Sequence, residues 1–374
     1  MEEEQLQRIA LYKNSCWVAY LHPLTFVVPE DENPWEVKLE DINNVSYNNG
    51  NLIRIVTRFK LEETTLDGLI CYDGAIAIPR IGKLHYKEDA VNFFNKLFIK
   101  LIFSGFQVEG VDRRDVVSGK LYDNYAISTW DFGDSAISNL HTKLRNRQVS
   151  NIDSIYLAGP RIIKVNELLN SINIGGKLLE KIPNFTPKFL IKGITEIRYK
   201  NWDLVLSNLW ITAEQLVDFL WYNIFLSDSS LHPEENIAGR INSFKEDNRT
   251  WSASVKQEIL FQNKIISSEI LSNLYMARKV RNKLVHEGKP VDKQVAMGLF
   301  LAVRQLIKVA TKQEDILSFE INKIRDDNDK TKLDQSFFEE WIKLPRDNFT
   351  EHRFGSNVLK NIKNDSSSNN KPVK

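Results

Sequence analysis

The 374-residue chain has two cysteines, Cys16 and Cys71, far apart and without a second cysteine or a histidine at close spacing. This excludes a disulfide framework and the paired-ligand spacing of a structural zinc site. Net charge is almost absent too: 50 Lys and Arg residues stand against 49 Asp and Glu, for a formal charge of +1. No overall field draws the whole protein to nucleic acid or to an anionic membrane, so any such contact must come from a local patch. Long apolar runs are missing as well. The densest stretch, residues 209–226, is interrupted by Glu214, Gln215 and Asp218, and the opening Met1-Glu2-Glu3-Glu4 has the wrong charge for a secretory leader. The expectation is a soluble, cytoplasmic protein with no membrane contact. Glycine-rich phosphate loops, G-x-S-x-G and H-E-x-x-H do not occur. His22, His85, His141, His232 and His352 are dispersed without metal-ligand spacing, so neither metal nor cofactor is expected.

What is present is apolar surface, 42% of the residues, enough for a sizeable core and, at this length, for two folded units. The fold class expected is α+β. Residues 1–192 read as a mixed α/β domain with a strand-rich sheet. Residues 52–61 suit a strand with one partly wet face, and Asp73-Gly74 between two apolar runs predicts a two-residue hairpin turn. Ala90, Phe94, Leu97, Phe98 and Leu101 recur at helical spacing, with Gly105 as the stop. From residue 158 to 193, Pro160, Gly175, Gly176, Pro183 and Pro187 break the chain into short runs.

Residues 193–316 read as an all-α bundle. Leu206, Leu209, Trp210, Ala213, Leu216, Val217 and Leu220 form one apolar stripe at spacings of three and four. Ser254 and Gln257 resemble a capping box, and Ile265, Ile270, Leu274, Ala277 and Leu284 mark a long helix ended by Gly288 and Pro290. A third helix starts at Asp292. Residues 317–374 form a charged extension, with an amphipathic turn near Trp341 and a disordered end.

The chemistry-bearing segment is Arg281-Asn282-Lys283-Leu284-Val285-His286, R-N-x-x-x-H at a helix end, after a helix in which Glu214 interrupts an apolar stripe. Cleavage of RNA through its own 2′-hydroxyl needs a base, an acid and positive charge on the phosphorane. His286 can act in either proton state, Arg281 can grip phosphate oxygens in a fork, and Asn282 can position the imidazole or the phosphate. Asn282 and His286 share a helix face, whereas Arg281 and His286 are about 140° apart around it.

This pattern resembles the HEPN family, in particular its Apea-like and abortive-infection branch, over roughly residues 195 to 315. The resemblance implies a helical bundle, a homodimer through that bundle, Glu214 and Arg278 in support of Arg281, and a metal-independent endoribonuclease of prokaryotic antiviral defence or toxin type. One protomer offers one obvious proton-transfer group, and a two-fold interface would supply a second histidine and arginine. Lys279, Lys283, Lys289 and Lys293 add a basic patch that can meet RNA phosphates, with transfer RNA a candidate substrate. The N-terminal domain would then sense a trigger or take a regulatory partner. The competing expectation is a HEPN module that binds nucleotide, RNA or protein without cutting.

Overall fold

Five of the six residues of β1 (Ser15–Tyr20) are buried, on both faces of the strand, and this places β1 in the middle of a sheet. It pairs antiparallel with β5 (Ala75–Pro79) on one side and β6 (Val117–Tyr122) on the other. With β3 (Ile55–Phe59), β4 (Gly68–Cys71) and β7 (Ala126–Thr129) the sheet has six strands in the order β3-β4-β5-β1-β6-β7. β2 (Thr25–Val28) and β8 (Arg161–Lys164) form a separate parallel pair. The structure, a computed structural model, describes residues 15–34, 52–122, 125–129, 134–146, 160–228, 250–314 and 316–317. Sheet and helices together make the chain α+β.

Trp17, on one face of β1, donates its indole N–H to the Leu84 carbonyl at 3.1 Å, on the turn that leads into α1 (Lys87–Phe103). On the other face Cys16, Val18 and Tyr20 join Cys71, Ala77, Val117 and Ile127 in an apolar cluster. The helix α2 (Ala136–Arg145) reaches this face, where His141 stacks on Tyr20 with ring centroids 4.2 Å apart. Both cysteines are free and buried, and burial raises their thiol pKa values to about 12 for Cys16 and about 11 for Cys71. Burial keeps both thiols in the protonated form near neutral pH.

The predicted hairpin is there, with three linking residues rather than two. Gly74 takes a φ of 76°, and a Cβ at that position would lie 2.3 Å from the Thr25 carbonyl oxygen. Asp73 in the same turn accepts both from Ala75 N–H and from the Arg145 guanidinium, at 2.7 and 2.8 Å to its two oxygens. The pair is buried, and Arg145 also donates to the Ile127 carbonyl.

Residues 160–193 depart from the broken-run reading. Gly175 and Gly176 lie inside α3 (Val165–Glu180). The physical reason is close approach: a Cβ on Gly175 would sit 1.7 Å from the carbonyl oxygen of Lys100 in α1. Pro187 opens α4 (Pro187–Arg198) at a position where its missing N–H costs no intrahelical bond.

α5 (Trp202–Leu220) is the central helix of the remaining residues and continues through one π-helical turn, Trp221–Phe225, to Asp228. It packs against α4, α6 (Ala253–Gln262), α7 (Ser268–Glu287) and α8 (Lys293–Thr311). The long helix expected from Ser254 onward is therefore two. Lys264 takes a left-handed φ of 59°, which ends α6, and Ser267 restarts the chain as N-cap of α7 by accepting from Ile270 N–H. Ser252, not Ser254, is the N-cap residue of α6.

A division at residue 192 falls within α4, and the neighbouring residues are tied on both sides. Gly193 lets α4 approach Leu209 of α5, Thr195 accepts from Gly110 N–H, and the Tyr199 hydroxyl donates to Glu109 at 2.6 Å. Met1–Phe319 form one compact unit. Among the described helices only α8 is long and apolar enough to cross a bilayer, and half of that stretch is buried within the protein. The charged extension, the turn near Trp341 and the C-terminal tail lie outside the described residues.

Candidate functional site

The inner face of α7 is set by Ile270, Leu274 and Ala277, all buried, at spacings of four and three. Arg281 is the next position of that stripe and is half-buried where α7 meets α5. Asn282 and His286, four residues apart, lie on the outer face and are exposed. Among the described residues neither has a hydrogen bond or an ion pair, so both are open to a ligand. The helix stops where the sequence predicts: Gly288 takes a φ of 66° and donates to the Leu284 carbonyl at 3.0 Å. The following loop is held to α5, because Val291 N–H donates to the Asp203 carboxylate at 2.7 Å. His286 is thus carried on a helix end fixed at its C-terminal side.

Glu214 lies on α5, half-buried, within electrostatic reach of Arg281. Burial raises its carboxyl pKa, a hydrogen bond from the Trp210 side chain and the Arg281 charge lower it, and Asp218 raises it further. The net direction is up. The site therefore combines a half-buried cation near a carboxylate of raised pKa with an exposed imidazole on the outer helix face.

No protein-family model, curated protein or solved structure matches the chain.

The other residues expected at the site spread over two surfaces. Arg278 is half-buried and sits over the Tyr275 ring at 5.7 Å from its centroid, so it is held by a cation–π contact on α7 itself. Lys279 and Lys283 are exposed on α7. Lys289 is exposed and pairs with Glu287 at 2.6 Å, and Lys293 is exposed at the start of α8. An exposed Lys–Glu pair of this kind opens at little cost when a phosphate competes for the lysine. Among the described residues, no three His, Cys, Asp or Glu side chains form a group that could hold a metal ion.

Two residues escaped the motif reading. Asp218 follows Trp210 and Glu214 at intervals of four along α5, and Lys256 of α6 reaches Asp218 at 2.7 Å while its own side chain is 4% exposed. The spacing of four was visible in the sequence. The lysine was not, because it comes from a helix that carries no motif.

Proposed function

We propose that this protein is a metal-independent endoribonuclease of HEPN type, acting in the cytoplasm as an effector of prokaryotic antiviral defence or as a toxin. The observation that carries the reading is the arrangement of R-N-x-x-x-H: Arg281 half-buried on the side of α7 that meets the Glu214 helix, with Asn282 and His286 open to solvent at a capped helix end.

The chemistry follows from those groups. A 2′-hydroxyl of RNA attacks the adjacent phosphorus and loses its proton to a base, the bond from phosphorus to the 5′-oxygen breaks, and an acid protonates the leaving oxygen. The products are a 2′,3′-cyclic phosphate and a 5′-hydroxyl. Arg281 stabilises the charge that builds on the phosphorane, and Asn282 orients the phosphate or the imidazole. Glu214 stands within electrostatic reach of Arg281 on the neighbouring helix.

Arg281 and His286 point to different sides of α7, and one protomer carries one of each. A homodimer through the outer face of α7 brings two histidines and two arginines together, and the second histidine completes the acid–base pair. Support comes from the apolar groups flanking the site, since Tyr275 is 53% and Val285 58% exposed beside Asn282 and His286. Lys279, Lys283, Lys289 and Lys293 meet RNA phosphates, and single-stranded loops such as those of transfer RNA supply the flexible 2′-hydroxyl. The sheet-bearing half restrains the site or receives a regulatory partner.

The test is to incubate the purified full chain with total RNA in EDTA and to sequence the fragment ends. Fragments ending in 2′,3′-cyclic phosphate and 5′-hydroxyl are expected. Intact RNA, together with RNA binding, would favour a binding module instead.

A further inference from the structure

Away from α7, a cavity of about 500 Å³ opens between α1 and the segment that joins α3 to α4. That volume falls in the range of small-ligand sites. Three lysines line it, Lys96 and Lys100 from α1 and Lys188 from the first turn of α4. Among the described residues none of the three has an ion-pair partner. Amines gathered in this way repel one another and attract an anion.

The same cavity has an apolar wall made by Leu179, Ile182, Pro183 and Phe185. A bare inorganic anion would satisfy the amines and leave that wall wet. A ligand with a charged end and a flat apolar body covers both. Glu62 and Glu180 also line the cavity, one carboxylate fewer than the amines, and either can accept hydrogen bonds from sugar hydroxyls.

We propose that this cavity binds a nucleoside phosphate, with the phosphates on Lys96, Lys100 and Lys188 and the base against Phe185, and that occupancy regulates the α7 site. The regulatory clause rests on the ribonuclease reading; the binding clause does not. The segment 181–187, which supplies most of that wall, is tied to α5, the helix behind that site, and to α8. Thr186 N–H donates to the Gln215 side-chain oxygen at 3.3 Å, and Gln215 is the chain neighbour of Glu214. Lys181 donates to the Thr311 carbonyl at the end of α8 at 2.9 Å. A ligand that shifts this segment shifts the α5 surface against which Arg281 is held.

Isothermal titration of the full chain with ADP, GDP, CDP and UDP in turn, and with pyrophosphate and adenosine as controls, tests the binding clause. At least one nucleoside diphosphate should bind about tenfold or more tightly than pyrophosphate, with adenosine weaker still. In the double variant Lys96→Gln, Lys100→Gln the affinity should fall by about tenfold or more, because charge-assisted hydrogen bonds are lost. Both lysines reach solvent, so matching thermal melts are expected for variant and parent. Absence of binding by every nucleotide, equal binding of pyrophosphate, or unchanged affinity in a folded double variant overturns the proposal. Cleavage assays with saturating nucleotide then read the regulatory clause. A severalfold rate change in the parent and none in the variant supports it, and RNA cut at one rate throughout removes it. Nucleotide binding without RNA cleavage under any condition removes the ribonuclease reading and leaves the site standing.

Discussion

Glu214 and Arg281 lie on neighbouring helices within electrostatic reach, and the Arg281 charge acts against the burial that raises the Glu214 pKa. The relationship matters because Arg281 is the half-buried cation of the motif, on the side of α7 that meets α5. Replacing Arg281 with Ala should lower RNA cleavage by roughly 10²-fold or more, the cost of losing one preorganised charge at a developing anion. Arg281→Lys should restore little, since an ammonium cannot make the fork to phosphate. Glu214→Gln should lower the rate less than either, and unchanged rates in all three variants would place the chemistry elsewhere.

The two glycines of α3 make a paired prediction. Gly175→Ala drives a methyl group into the Lys100 carbonyl and should destabilise the protein by roughly 1–3 kcal/mol. A Cβ on Gly176 meets nothing closer than 3.7 Å, so Gly176→Ala should be neutral or stabilising by up to about 1 kcal/mol. Thermal melts of the two single variants, moving in opposite directions, are the check.

The buried Arg145–Asp73 pair joins the end of α2 to the hairpin turn. Arg145→Ala leaves a carboxylate uncompensated in the interior and should cost about 3–5 kcal/mol. Adding Asp73→Asn should recover part of that loss. Urea titrations of the single and double variants measure it, and a double variant less stable than the single one would contradict the account.

Acid stability should depend on His141. Its ring is 1% exposed, among the described residues neither ring nitrogen has a hydrogen-bond partner, and burial lowers its pKa well below 6.5, with the charges of His22 and Arg145 acting in the same direction. The unfolded chain takes up this proton near pH 6.5 while the folded chain resists it. The contribution to stability is therefore present above pH 6.5 and is lost below it, at a slope approaching about 1.4 kcal/mol per pH unit. His141→Phe keeps the stack on Tyr20 and removes the titration. The variant should show a flatter fall in Tm between pH 6.5 and pH 5 than the parent, and parallel curves would refute the assignment.

The end of α7 is legible in the sequence because its signals are local: an apolar stripe through Ala277, then Gly288 in the left-handed region. The stripe that builds α5 is legible for the same reason. The break between α6 and α7 is hidden, since Ile265 and Ile266 keep the apolar spacing while Lys264, a residue with no turn preference of its own, takes the positive φ. Gly175 misleads in the opposite sense, because its reason is a neighbouring backbone 75 positions earlier. The sheet order is equally nonlocal, with β1 paired to strands about 60 and 100 residues downstream. Within the site, sequence supplies Arg281, Asn282, His286 and Glu214, whereas the Asp218–Lys256 pair needs the packing of α6 on α5.

The most direct measurement compares the full chain with its His286→Ala variant on one RNA, reading cleavage rate and binding affinity separately. His286 is exposed and makes no contact that folding requires, so the variant should melt as the parent does. The account predicts cleavage lower by roughly 10²-fold or more, the usual contribution of a general acid or base, with RNA affinity nearly unchanged. A folded variant that cuts RNA as fast as the parent would contradict it.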